Sequence, residues 1–303
     1  MHTVRWAMLL LLALPHRAGA QVRENAPLLL QLPGSTRALG LGDAYHLASA
    51  DNDAIFYQPG LIDAARGAGA SLAFFETAML ATISAVADFW DGGIAFGVQS
   101  LSYTSLSRTS GAFAFGEAGL GEEGTVSTSE LALSAGYGRV IKGFRVGLIG
   151  KYVELRVPGE RDAGLAADLG IARRFGFVTA GFAAQNLGRS PDLEGEDLTL
   201  PLMFTLGAST QSTPFGPLDV AAAAAVSRWN DGTVVPHAGI EFAYWPVSGR
   251  TFIGRIGVRY IEDNDIRPLT AGAGFAGDRV MIDYAVQAYE GARAVHRVGV
   301  RVR

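Results

Sequence analysis

Residues 68–303 carry a two-residue alternation of apolar and polar side chains, and this period restricts what the chain can fold into. In the clearest case, Phe252 and Ile256 share one face of a segment while Arg255 and Arg259 share the other. A period of two is typical of strands, because successive side chains point to opposite faces of a sheet. This part of the chain is therefore predicted to be all-β.

Alternation alone fits a soluble β-sandwich as well as a membrane barrel, so the loop lengths are needed to distinguish the two folds. Connections after even-numbered strands are tight, whereas those after odd-numbered strands include the long ones, at 107–127, 158–162, 188–199 and 262–267. An even strand number with short turns on one side and long loops on the other is typical of an outer-membrane β-barrel. The fourteen predicted strands are 68–76, 81–89, 93–106, 128–140, 144–157, 163–173, 177–187, 200–211, 217–229, 234–245, 250–261, 268–277, 279–289 and 293–302.

Composition supports the same fold class. Hydrophobic residues make up 49% of the chain and charged residues only 18%, yet no run of 18 apolar residues follows residue 20. A membrane-spanning helix is therefore excluded by the sequence. The 39 glycines and the scarcity of charge fit strands that alternate between lipid and lumen.

The first twenty residues have the features of an export signal. Arg5 gives the positive start, Ala7 to Leu14 give a short apolar core, and Ala18-Gly19-Ala20 gives a small-x-small cleavage site. We expect three segments: a signal peptide at 1–20, an N-terminal hatch or plug at 21–67, and the barrel at 68–303. An exported barrel is expected in the cell outer membrane, in contact with its lipid.

The segment 21–67 has a helical rather than an alternating texture. Asp43 is predicted to cap a short helix through Ala50, and Pro59-Gly60 is predicted to end a second one. The segment is too short to form a domain and too apolar to be a free linker. We therefore predict that it plugs the lumen of the barrel.

This segment resembles the hatch signature of the PorV/PorQ family, relatives of FadL-type transporters. The family pattern reads roughly G-x-R-A-L-G-M-G-x-A-Y, then A-D-D-x-x-A, then N-P-A-x-L. A second resemblance covers the last two strands, at Asp283-Tyr284-Ala285 and His296-Arg297, while Asn52 and Gln58 depart from the family pattern. The matching hatch residues are Gly34, Arg37, Ala38, Leu39, Gly40, Gly42, Ala44, Tyr45, Asp51, Ala54 and Pro59.

The resemblance implies a fourteen-stranded outer-membrane barrel associated with type IX secretion, with a hatch that includes Gly34, Arg37, Gly40, Gly42, Asp51 and Pro59. We also expect Asp53, in the same segment, to be a charged residue of the plug.

Residues with enzymatic or cofactor chemistry are absent from the pattern. No G-x-S-x-G motif occurs, and the histidines that follow the signal lack metal-ligand spacing. The net charge of −4 argues against nucleic acid as a partner. We predict that the protein is not an enzyme and has no cofactor and no catalytic or metal site. The acidic loops are interpreted as solvated, with Ca²⁺ binding as the alternative.

Charged residues of the barrel fall on the predicted inward faces. A charge on the lipid face near the bilayer centre costs about 2–4 kcal/mol for Arg or Lys, so inward placement follows from the membrane alone. We expect Arg37, Asp51 and Asp53 to pair with such groups. The predicted lumen-facing residues are Lys151, Asp168, Glu241, Arg255, Arg259, Asp283, Arg297 and Arg301.

Two functions fit this sequence. The first is a component or partner scaffold of a protein secretion system, which holds protein partners at its rim and loops; this is the main expectation from the resemblance. The alternative is a FadL-like transporter of small hydrophobic molecules. A closed plug suits the scaffold, whereas a transporter needs a gap in the wall or a movable hatch above a pocket.

Overall fold

Fourteen antiparallel strands close into a barrel, as the alternation predicts. The structure is a computed structural model that describes residues 24–44, 51–105, 126–193, 198–261, 266–289 and 293–302. The signal peptide predicted at 1–20 lies outside these residues. The strands are β1 Gly67–Phe74, β2 Ala78–Phe89, β3 Gly92–Ser105, β4 Val126–Ile141, β5 Phe144–Val157, β6 Glu160–Phe175, β7 Val178–Arg189, β8 Met203–Thr210, β9 Leu218–Trp229, β10 Val234–Val247, β11 Arg250–Arg259, β12 Ile266–Ala276, β13 Val280–Tyr289 and β14 Ala294–Val302.

Each strand pairs with its neighbours in sequence, and β14 pairs with β1 to close the barrel, from His296 opposite Phe74 to Val302 opposite Ala68. Two shorter pieces accompany the wall. Thr213–Phe215 extends the edge of β9, and Glu24–Asn25 pairs in parallel with Leu198–Thr199. No helix among the described residues is long and apolar enough to cross a membrane.

The tight turns at one end use left-handed backbone conformations. Trp90 and Asp91 have φ of 45° and 57°, and Lys142 and Gly143 have φ of 50° and 80°. Two consecutive positive φ values are those of a type I′ turn, whose twist matches the strands it joins. The connections after β2, β4, β6 and β10 are two residues long.

One predicted loop is wrong. The segment 158–162 was expected to be long, but β5 runs to Val157 and β6 starts at Glu160, so only Pro158 and Gly159 form the turn. The polar residues that indicated a loop belong to the ends of long strands. Arg161, for example, pairs with Glu154 on the outer face of the barrel, beyond the apolar band.

The outward face of β6 shows how the alternation suits a bilayer. Its side chains are apolar from Ala163 to Ile171, and arginines stand at both ends, Arg161 and Arg173. At about 3.3 Å per residue and a tilt of about 40°, these arginines lie roughly 30 Å apart along the barrel axis. This is about the thickness of a hydrocarbon core.

Aromatic side chains form a belt at the short-turn end. Exposed aromatic residues at this level are typical of a membrane interface, where an apolar ring body meets polar headgroups. The belt contains Phe89, Trp90, Phe144, Phe175, Phe177, Phe215, Tyr244 and Trp245.

Candidate functional site in the plugged lumen

The N-terminal segment runs through the lumen from one end of β4 to the other. At the long-loop end, the backbone N–H groups of Leu28 and Leu29 donate to the Glu130 carboxylate, at 3.1 and 2.7 Å. At the short-turn end, the turn Pro59–Leu61 packs against β4, β5 and β6. The described parts of this plug are 24–44 and 51–66.

The only α-helix in the described plug is short. Helix α1 spans Thr36–Gly40, and Ser35 caps it through a hydrogen bond from Ala38 N to the Ser35 side chain. Asp43 follows this helix in a turn with φ of 63°. The separate helix that was predicted from Asp43 through Ala50 falls on residues 45–50, which lie outside the described part of the chain. Two further turns, at Asn52–Phe56 and Pro59–Leu61, are 3₁₀.

Six charged side chains form a closed ring between the plug and the wall, here called the charge ring. Each acid lies between two arginines, so three positive and three negative groups alternate. Arg37 holds Glu241 with two hydrogen bonds, of 2.9 and 2.7 Å. In order, the ring contacts are Arg37–Glu241 at 2.7 Å, Glu241–Arg255 at 2.6 Å, Arg255–Asp283 at 2.6 Å, Asp283–Arg301 at 2.6 Å, Arg301–Asp51 at 2.5 Å and Asp51–Arg37 at 3.3 Å.

The ring is buried. The side chains of Arg255 and Asp283 are 0% and 1% exposed, and the other members are 15% exposed or less. A buried charge is tolerated when it is paired, and removal of one partner leaves the other uncompensated. The ring therefore joins two plug residues, Arg37 and Asp51, to strands β10, β11, β13 and β14.

Arg297 anchors the plug and forms no ion pair among the residues that the structure describes. Its guanidinium is almost completely buried and donates to the carbonyl oxygens of Pro33 and Gly34, the latter at 2.8 Å. It also donates to the hydroxyls of Ser71 and Thr82 in the wall, at 2.8 and 2.9 Å. A planar fork with five N–H groups can hold several neutral acceptors at once, which fixes the turn before α1 against β1, β2 and β14.

Asp53 lies near the ring but outside it. Its Oδ1 accepts from the Ser84 hydroxyl at 2.7 Å and from the Asn52 amide at 2.9 Å. Burial, together with the nearby charge of Asp51, raises the pKa of Asp53. The expected pairing of this acid with an arginine is not seen within the described ranges, and neutral hydrogen-bond donors take the place of the cation there.

Inward glycines of the wall receive the plug backbone. A Cβ at Gly257 would lie 2.0 Å from Gly42 N, and a Cβ at Gly147 would lie 2.0 Å from Pro59 O. Gly42 itself has φ of 64°, and a Cβ there would lie 2.5 Å from the backbone of Val258. The same close approach occurs at Gly40, whose added Cβ would lie 3.2 Å from Gly272 Cα. These glycines are required by contact between two backbones.

A cavity of about 30 Å³ lies between the plug and the wall, mainly at β7 to β11, and also borders Gln99 of β3 and Lys151 of β5. Its wall side includes Met203, Trp229 and Gln185, and its plug side includes Leu30 and Tyr57. The volume is that of about one water molecule, far below the several hundred Å³ of a typical ligand pocket. In this arrangement the cavity is too small to hold a ligand of that size.

Two predicted lumen-facing cations line this cavity. Lys151 is paired, with Nζ 2.7 Å from Asp168 Oδ2 and 2.8 Å from Asn186 Oδ1. Arg259 has no ion pair among the described residues, and its buried Nε has no hydrogen-bond partner there. The expectation that Arg259 pairs with the plug is therefore not met within that part of the chain.

The wall beside the cavity is interrupted. Asn186 has φ of 61°, and the β6–β7 register shifts between Ala167 and Leu169. The β7–β8 ladder ends at Gln185 opposite Met203, whereas β7 continues to Arg189 along β6. A bulge and a short neighbouring strand thus coincide at one height of the wall.

Several contact residues could not be selected from the sequence. Asn52 and Gln58, which depart from the family pattern, are both buried, and Gln58 caps the turn at Pro59 through a bond from Gly60 N. Glu130 and Asn186 gave no signal beyond their place in a strand. Among the described residues, no group of metal-binding side chains occurs; the predicted acidic loops lie largely outside them.

Comparison with known proteins supports the fold. No protein-family model matches the chain, and no curated sequence matches it significantly. The CymD monoaromatic hydrocarbon channel is 10% identical, with a TM-score of 0.61 over 91% of this chain and 98% of that one. A Pseudomonas aeruginosa FadL homologue is 12% identical, with a TM-score of 0.55 over 89% and 98%. The Pseudomonas putida toluene transporter TodX is 14% identical, with a TM-score of 0.53 over 93% and 98%.

These similarities establish a common barrel fold with FadL-type channels. The narrower resemblance to the PorV/PorQ family gains no support from the comparisons.

Proposed function

We propose that this chain is an outer-membrane channel of the FadL type, which lets small hydrophobic molecules pass beside its plug. The carrying observation is the cavity between the plug and β7–β11, at the height where the wall is interrupted. The named functions of the similar barrels, a monoaromatic hydrocarbon channel and a toluene transporter, agree with this assignment.

The distribution of contacts supports a passage on this side. The charge ring and Arg297 fix the plug to β10, β11, β13, β14 and β1. On the cavity side the inward wall has small residues at Ala183, Gly207 and Ala225, on the same strands as Gln185, Met203 and Trp229. A molecule that enters here would meet the buried ion pair Lys151–Asp168, whereas one on the ring side would meet all the pairs of the charge ring.

The cavity is too small for a hydrocarbon in the closed arrangement, so passage requires movement of the plug or of the segment that precedes Met203. Neutral hydrogen bonds hold that segment: Asn186 Nδ2 donates to Pro201 O at 2.9 Å, and Asn230 donates from its N to Leu202 O at 2.9 Å and from its Nδ2 to Leu200 O at 3.2 Å. Each bond between neutral groups contributes about 0.5–1.5 kcal/mol, less than a buried ion pair.

The test is uptake of radiolabelled toluene by cells whose outer membrane contains this protein. We expect faster uptake than with an empty vector, and Met203→Trp should reduce it by filling the cavity. Leu206→Trp is the matched control, because Leu206 lies on the outward face of the same strand and should leave uptake unchanged. Uptake equal to the vector would contradict the proposal.

The proposed location has its own test. The protein should fractionate with outer membranes and resist carbonate extraction, and its gel mobility should change on heating, since a closed barrel has no free edge. A soluble periplasmic pool would contradict it. The secretion scaffold remains the alternative, and co-purification of protein partners in mild detergent without toluene uptake would favour it.

A further inference from the structure

One sector of the short-turn end carries four exposed cations, here called the basic sector. They are Arg139, Lys142, Arg173 and Arg174, at the ends of β4, β5 and β6. None of them forms an ion pair within the described part of the chain. Elsewhere at this end, cations have acidic neighbours: Arg66 pairs with Asp88, and Arg250 with Asp278 at 3.5 Å.

Aromatic rings hold the arginines of this sector in place. The Arg173 guanidinium lies 4.5 Å from the centre of the Phe144 ring and 5.5 Å from that of Phe175. Arg174 donates to Gly176 O at 2.9 Å and to the Gln211 side chain at 2.6 Å. Contact with a ring face orients a guanidinium and leaves its charge without a carboxylate partner.

The position of these cations matches a headgroup layer. Arg139 and Arg173 lie on the outward faces of β4 and β6, at the end of the apolar band and level with the aromatic belt. Among the described acids at this end, Asp63 pairs with Arg145 and Asp88 pairs with Arg66, and no ion pair joins Asp91 to the sector. The net charge of this patch of lipid-facing surface is therefore positive.

We propose that the basic sector binds the phosphate of an anionic phospholipid headgroup in the leaflet at the short-turn end. Guanidinium groups bind phosphate through paired N–H donors, and Arg139 and Arg173 are separated by one strand, so two arginines face the same headgroup region. Phe144 and Phe175 then contact the glycerol and upper acyl region. The proposal rests on the membrane placement and is independent of what passes through the lumen.

The experiment compares lipid retention by the purified full chain in nanodiscs of phosphatidylcholine with and without phosphatidylglycerol. The wild type should enrich phosphatidylglycerol among the lipids that remain bound, and the double variant Arg139→Gln/Arg173→Gln should lose about fivefold in preference per arginine. High salt should reduce the enrichment, because ions screen exposed charges.

Arg250→Gln is the matched control, because it removes a cation from the same end but outside the sector, and it should retain the wild-type preference. Heat-modifiable mobility confirms that each variant is folded. Equal enrichment by the wild type and the double variant would overturn the proposal, as would an equal loss in the control. A lipid preference without toluene uptake would reject the channel function and leave this site standing.

Discussion

The two flanks of the plug are held in different ways. On one flank, the charge ring joins Arg37 and Asp51 to β10, β11, β13 and β14 through contacts of 3.3 Å or less, almost all of them buried. On the other flank, facing β7 to β9, the plug borders a cavity of about 30 Å³ and a wall with a bulge. On this second flank, Gln185 Nε2 donates to Phe56 O at 3.0 Å and Gln58 Nε2 donates to Phe182 O at 3.3 Å. The same segment is therefore held by buried ion pairs on one side and by neutral hydrogen bonds on the other.

This difference indicates where the structure can yield. Charges buried in a low-dielectric interior resist separation, because each would be left without its partner. Contacts among small side chains and single neutral hydrogen bonds cost much less to break. We expect motions of the plug to open the cavity flank first, with the ring as the fixed side.

The largest expected effect comes from removal of the plug. The intact protein should show no steady ion conductance in a planar bilayer, and deletion of residues 28–66 should produce a steady open pore, because a fourteen-stranded wall encloses a lumen that side chains alone do not fill. The deletion variant must first show heat-modifiable mobility. A folded variant that remains closed would mean that the wall itself seals the lumen.

A large loss of stability is expected for Arg255→Met. Arg255 is the most buried arginine of the ring and bridges two acids, so its loss leaves Glu241 and Asp283 each with one arginine. Breaking a buried pair costs about 3–5 kcal/mol, which denaturant unfolding in detergent can measure. Arg250→Met, at an exposed pair, should cost less than about 1 kcal/mol. Similar losses in both variants would show that the buried ring pair contributes no more to stability than an exposed pair.

Gly42→Val should lower the free energy of unfolding by about 2–3 kcal/mol, because valine is strained at a positive φ and its Cβ would clash with the Val258 backbone. Gly254→Val is the control, because Gly254 lies on the same strand as Val258 and a Cβ there meets nothing within 4 Å. The measurement is the shift in unfolding midpoint for both variants. An unchanged midpoint for Gly42→Val would show that this turn does not bear on the wall.

The smallest effect is expected for Asp53→Asn, which should stay within about 0.5 kcal/mol, whereas Asp51→Asn removes a partner from two arginines. Because the pKa of Asp53 is raised, the folded protein binds a proton at this carboxyl more tightly than the unfolded chain does. Its stabilising contribution is complete below the ordinary Asp pKa and is lost as pH rises through the raised value. Asp53→Asn should remove this part of the pH dependence, as unfolding at several pH values can check.

The sequence predicted the wall well because its signal is local. Alternation within one strand and a glycine or Asp in the next turn are visible within a dozen residues, and the fourteen strands lie where they were expected. The failure at 158–162 has a physical cause. Strands extend past the bilayer, and there Glu160, Arg161 and Asp162 stay in water and carry no desolvation cost. Polar residues at this position therefore do not indicate a loop.

The contacts inside the lumen depend on closure and were harder to predict. Arg37 and Glu241 are 204 positions apart, and only the register around the whole barrel places them together. The alternation along each strand predicts which charged side chains face inward, but it does not predict which of them pair with each other. Arg259 illustrates this, because its strand position matches that of Arg255, yet it forms no ion pair among the described residues although Asp43 lines the same cavity.

The glycine contacts have a consequence for the order of events during biogenesis. The plug backbone lies against inward glycines on opposite arcs of the wall, at Gly147 and Gly257, with no room for a single added carbon. A finished cylinder could not admit such a segment by threading it in from either opening. We therefore expect the N-terminal segment to lie inside before β14 pairs with β1, so that the barrel closes around a plug that is already in place.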